Sequence, residues 1–101
     1  MNLAELQQRF LIGLEHRLCE LTVVLETTAD TESLMRKFHS LTGIAGTYGY
    51  DRVTEISREC ELLCLTAMEE IRTLTGAERS RLKAGIESAR QYAMPSSSSP
   101  K

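Results

Sequence analysis

Apolar residues recurring every three or four positions, over nearly the whole chain, constrain this sequence more than any other feature. Leu3, Leu6, Phe10, Leu14, Leu18, Leu21 and Leu25 form the first such series, and that period places them on one face of a long helix. Asn2 with Glu5 three residues later fits a capping box at its start. The pattern breaks at Thr27-Thr28-Ala29-Asp30, where Asp30 is suited to cap the next element. A second series, Leu34, Phe38, Leu41, Ala45 and Tyr48, runs up to Gly49, a residue suited to a left-handed helix end. Asp51 is placed to cap a third helix, with Val53, Ile56, Cys60, Leu63, Ala67, Ile71 and Leu74 inward. Thr75-Gly76-Ala77-Glu78 repeats the capping-box form and opens a fourth, with Leu82, Ile86 and Ala89 inward. No run alternates as a strand would. An aromatic content of 5% without Trp also argues against a β-sandwich.

Four one-sided helices on short connections must bury their apolar faces against one another. The expected fold is therefore all-α, an antiparallel up-down-up-down four-helix bundle over residues 1–94. Residues 95–101, Pro-Ser-Ser-Ser-Ser-Pro-Lys, have the low-complexity composition of a disordered tail or linker stub.

A bundle says little about function, so composition serves mainly to exclude. A formal net charge of −2 disfavours nucleic acid as a partner. No apolar run approaches the roughly 20 residues that cross a bilayer, and the amphipathic start lacks the basic region of a signal peptide. Three cysteines make an odd number without framework spacing, which reads as a cytoplasmic chain with reduced thiols. Cys60 and Cys64 stand one turn apart, as metal ligands can, but no second ligand pair accompanies them. They are read as core residues, with no metal site expected.

The informative stretch lies beside the second apolar series. One step around that helix runs Met35, His39, Thr42, Gly43 and Gly46. Glycine inside a helix costs about 1 kcal/mol relative to Ala, so two of them within one turn need a reason. Either they let a neighbouring helix approach, or they leave the surface around His39 bare for a partner. A hairpin folded around Gly49 supplies the next constraint. His39 precedes that glycine by ten residues and Glu61 follows it by twelve, which sets both at similar height on adjacent antiparallel helices. Each also follows a core residue, Phe38 or Cys60, and so sits at the boundary. A Glu61 carboxylate in that place can accept a hydrogen bond from one ring nitrogen and leave the other as a nucleophile. The bland reading of the same spacing is a surface pair worth little. His16, between Leu14 and Leu18, lacks a glycine rim and is read as a solvated or partly packed residue.

The segment Phe38-His39-Ser40-Leu41-Thr42-Gly43-Ile44-Ala45-Gly46-Thr47-Tyr48-Gly49-Tyr50 resembles the signature of histidine-containing phosphotransfer (Hpt) domains. That signature has His, any residue, an aliphatic, Lys, Gly and then small residues, with a further Gly six positions on. His39, Leu41, Gly43, Ala45 and Gly49 fall on it. The Gly-Thr-Tyr-Gly-Tyr run is similar to the phosphorylated domain of chemotaxis-type histidine kinases, and residues 10–21 are similar to the family's first helix. The resemblance covers roughly residues 5–92.

It implies that His39 accepts a phosphoryl group and passes it to or from an aspartate of a response-regulator receiver, with Glu61 orienting the ring. It implies no cofactor and no catalytic turnover of its own, since the receiver supplies magnesium. The partners implied are receiver domains or a histidine kinase, met by a monomer, with neither nucleic acid nor membrane involved. Docking is expected over Glu32, Met35, Arg36, Thr42, Gly43 and Gly46 of the second helix, and over Thr54, Ser57, Arg58 and Glu61 of the third. The departure is Thr42, where the family usually carries the Lys that helps hold the phosphoryl group. Arg36, one turn upstream, is expected to supply part of the missing charge, and Lys37 to point elsewhere. Two alternatives stay open: the amino-terminal domain of a longer chemotaxis-type kinase, and a degenerate Hpt acting as a helical adaptor.

Overall fold

The computed structural model describes residues 2–27 and 30–93, without the side chains of Leu3 and Ala93. The tail expected at 95–101 and the inward placing of Leu3 lie outside what it describes. Four helices follow in order: α1 Leu3–Thr27, α2 Thr31–Thr47, α3 Asp51–Glu69 and α4 Gly76–Ala93. Each neighbouring pair packs together and α4 closes back on α1, while α1 and α3, like α2 and α4, stand across the diagonal. The most extensive contact joins α2 and α3, the two helices that matter for the site. Among the described residues, no helix is long and apolar enough to cross a membrane.

The starts of these helices follow from local chemistry. Asn2 and Glu5 exchange backbone-to-side-chain hydrogen bonds of 3.2 and 2.8 Å, and Thr75 and Glu78 do the same at 2.9 and 3.0 Å. Asp30 caps α2 by accepting from the Ser33 backbone N–H at 3.2 Å. The expected cap of α3 is displaced by one residue: Tyr50 holds that position, with no side-chain cap bond, and Asp51 is the first helical residue. Packing explains the shift. The Tyr50 and Tyr48 rings stack on Phe10 at centroid distances of 4.6 and 4.9 Å, which pins Tyr50 at the turn. Asp51 then acts through its charge at the positive end of the helix.

The core is built from the expected faces of α1, α2 and α4, among them Leu14, Leu18, Leu34, Phe38, Leu82 and Ile86, all nearly inaccessible. On α3 the face is turned from the expected one. Val53, Ser57, Cys60, Cys64 and Ala67 are buried, whereas Ile56 and Leu63 are only half-buried against them. Ser57 tolerates burial because its hydroxyl donates to the Val53 carbonyl at 2.7 Å. Burial pushes the Cys60 and Cys64 thiols up to about 12 and about 11, so both stay protonated and inert. Among the described residues no three potential ligands gather to hold a metal. Gly85 lets α4 approach α3, since a Cβ there would lie 2.6 Å from Cys60 Sγ.

The third helix also stops sooner than its apolar period suggested. Ile71 lies beyond α3, is 92% exposed, and has a φ of 51°. Its N–H donates to the Met68 carbonyl and that of Arg72 to the Ala67 carbonyl, a Schellman end with a β-branched residue in the left-handed position. The corresponding end of α2 uses Gly49, at φ 81°, with matching bonds to Gly46 and Ala45. Left-handed backbone costs a residue with a Cβ about 1–2 kcal/mol, and the freer unfolded chain of glycine returns only part of that. Ile71→Gly is therefore expected to raise stability by about 1 kcal/mol in denaturant unfolding. A less stable variant would show that the isoleucine side chain contributes contacts that outweigh its backbone.

Candidate functional site

Helix α2 buries Phe38 and thereby carries the next residue, His39, to its outer edge on the α3 side. Helix α3 buries Cys60 and presents Glu61 toward α2 in the same way. His39 Nδ1 lies 2.7 Å from Glu61 Oε2. The two side chains differ sharply in exposure, at 74% for His39 and 15% for Glu61. The carboxylate is thus held between the helices, and the ring projects from it into solvent. A carboxylate only accepts, so the contact suits a ring that donates from Nδ1, and a neutral imidazole donating there leaves its lone pair on Nε2.

The surroundings of the ring are bare on the α2 side. A Cβ added at Gly43 would meet nothing within 4 Å, and one at Gly46 would meet only Thr54 Oγ1 at 3.8 Å, an ordinary contact. Neither glycine is required by a neighbouring helix, so close packing does not account for them. Thr42, one turn after His39, turns its hydroxyl back to the Phe38 carbonyl at 2.9 Å.

The remaining candidates divide by what holds them. Arg36 is clamped to Glu32 on its own helix through two nitrogens, at 3.1 and 2.5 Å. Lys37 leans toward α1, with Nζ 3.8 Å from Glu20, as its position on the helix suggested. Met35 packs partly into the core, and Thr54 is half-buried with its hydroxyl on the Tyr50 carbonyl at 2.9 Å. Arg58 is exposed. Ser57 was expected on the docking rim and is not there. Its side chain is 1% exposed, because α3 is rotated to bring it inward, and it offers nothing to a partner. His16 is exposed on α1.

Two features near the ring escaped the sequence reading. Ser40 accepts a 3.3 Å hydrogen bond from Arg17 of α1, which ties the residue after His39 to a second helix. Leu62, the residue after Glu61, is an apolar side chain left 55% exposed on α3. Its place one step outward from Cys60 and Glu61 was a usable signal, but a lone exposed leucine is too common to weigh alone.

A family model for the Hpt domain matches residues 5–92 of the chain. No curated protein and no solved structure matches it.

Proposed function

The chain belongs to the Hpt domain family, and from that premise we propose that His39 is its phosphoacceptor and Glu61 the residue that orients the ring. Histidine phosphotransfer in two-component signalling is the role of such a domain, as a carrier between histidine kinases and response regulators. The observation that carries the assignment to His39 is the 2.7 Å contact of its inner nitrogen with a mostly covered carboxylate, on a ring otherwise 74% exposed.

The chemistry follows from that contact. In transfer from a receiver, the Nε2 lone pair forms a bond to phosphorus as the phosphorus–oxygen bond of the aspartyl phosphate breaks. The aspartate leaves as a carboxylate. Nδ1 keeps its proton throughout, and Glu61 balances the positive charge that develops on the ring. Return of the phosphoryl group to a second receiver reverses these steps. The electrostatic work on the transferring group belongs to the receiver and its magnesium.

Docking is proposed over the face that His39 shares with Met35, Gly43, Gly46, Thr54 and Leu62, a small area in keeping with a transient encounter. Glu32 and Arg36 border it as a pair. The test is incubation of the protein with a panel of phosphorylated receiver domains. Acid-labile, alkali-stable phosphate on His39, lost again to unphosphorylated receivers, is the expected result. Phosphate that arrives only from ATP and a histidine kinase would favour the kinase-domain reading. No phosphate from either source would favour an adaptor.

A further inference from the structure

Thr42 leaves the phosphoacceptor without a cation one turn along its own helix, and the structure assigns that charge to Arg58 on the facing helix. The inference rests on His39 being the acceptor. Two contacts fix the register of α2 against α3. His39 meets Glu61 at 2.7 Å, and a Cβ at Gly46 would stand 3.8 Å from Thr54 Oγ1. Seven residues forward on α2 thus correspond to seven back on α3, as antiparallel helices of equal rise require. Between those pins, Thr42 and Gly43 face Ser57 and Arg58. Ser57 is buried, so of the two it is Arg58 that occupies the outer rim, exposed and one turn from Glu61.

The other cations on this side each face a carboxylate. Arg36 is clamped to Glu32, and Lys37 is drawn toward Glu20 of α1. Arg58 makes no ion pair or hydrogen bond among the described residues. Gly43, one turn beyond His39, adds no side chain to this rim, and a Cβ there would touch nothing. A guanidinium suits the ligand, because its planar fork matches two phosphate oxygens and the phosphoryl group carries close to two negative charges. Arg58 does from α3 what a Lys at position 42 would do from α2.

Phosphoramidate as donor tests this without a receiver, so that effects on docking do not enter. Nε2 forms its bond to phosphorus as the phosphorus–nitrogen bond of the donor breaks and ammonia leaves. Phosphohistidine is followed by phosphorus NMR, for both its formation and its lifetime. Arg58→Gln is expected to lower the product of rate and lifetime by about tenfold, the scale of one hydrogen bond to a charged group. Arg58→Lys should keep most of the wild-type value. Thr42→Lys placed in the Arg58→Gln background should restore it, while Thr42→Lys alone should change it far less. Wild-type behaviour of Arg58→Gln overturns the inference, and so does a loss that Thr42→Lys fails to restore. If the unaltered protein takes no phosphate on His39, the acceptor assignment itself fails, an outcome visible before any variant of Arg58 is made.

Discussion

His39→Gln takes up no phosphoryl group from any donor, and its unfolding midpoint stays close to that of the unaltered protein. The first half of this expectation follows from the outward nitrogen being the reacting atom, for an amide offers no comparable lone pair. The second half follows from burial. The His39 side chain is 74% exposed and contributes little to the core, and surface substitutions of this kind usually change stability by less than about 0.5 kcal/mol. Glutamine also keeps an N–H that can reach Glu61, so the mostly covered carboxylate is not stranded. Labelling with phosphoramidate and with phosphorylated receivers, beside a thermal melt, checks both halves. His16→Gln is the matched control on α1 and should label normally. Uptake by His39→Gln, or its loss in His16→Gln, would move the site to the other histidine.

That His39 and Glu61 meet was legible before any coordinates, and the reason is mechanical. Gly49 ends α2 in a left-handed turn, the chain reverses within three residues, and both helices rise by the same increment. Counting outward from the turn therefore gives the register directly. The buried faces of α1, α2 and α4 were legible for a similar reason, since on those helices the apolar period and the packing direction agree. On α3 they part. That helix packs against both α2 and α4, and its deepest line passes through Ser57 and Cys64, fully covered, rather than Ile56 and Leu63. A serine is normally set aside as polar, and only the bond from its hydroxyl to the Val53 carbonyl makes it suitable for the interior. Ile71 misled in the opposite sense. It continues the apolar period, yet the helix has already ended, and no glycine marks the stop.

The end of α3 is secured elsewhere, by charge. Arg72 donates to both carboxylate oxygens of Glu78, at 2.8 and 2.9 Å, and pairs as well with Glu70. The Arg72 guanidinium, with help from the Thr75 backbone N–H, holds the Glu78 carboxyl down to about 2. Sequence periodicity carries no record of such a pair, because it depends on the path of the connecting segment. Arg58 is a partial case: its exposure and its place opposite Thr42 follow from the period and from counting out from the turn, but periodicity does not record that its guanidinium takes no partner among the described residues.

Glu61→Ala slows phosphoryl transfer by about a hundredfold without abolishing it. Orienting and acid–base groups contribute roughly 10²–10⁴-fold, and the lower end applies here because the imidazole nitrogen is nucleophilic without help from a base. What the carboxylate adds is the choice of nitrogen. With Glu61 accepting from Nδ1 at 2.7 Å, the proton is confined to the inner nitrogen and the outer one is free to attack. Without it, the proton shifts toward Nε2 in a share of the molecules, and those molecules cannot accept. Nitrogen-15 shifts of the His39 ring report this directly: the inner-nitrogen tautomer should dominate in the unaltered protein and lose ground in Glu61→Ala. Glu61→Gln separates orientation from charge. Its side-chain carbonyl can still accept from Nδ1, so the tautomer should persist, while the loss of negative charge should still slow transfer by a smaller factor. Folding is expected to survive both changes, because Glu61 borders the core rather than filling it. Transfer at the unaltered rate in Glu61→Ala, or an unchanged tautomer, would mean that the close pair is a surface contact with no part in phosphotransfer.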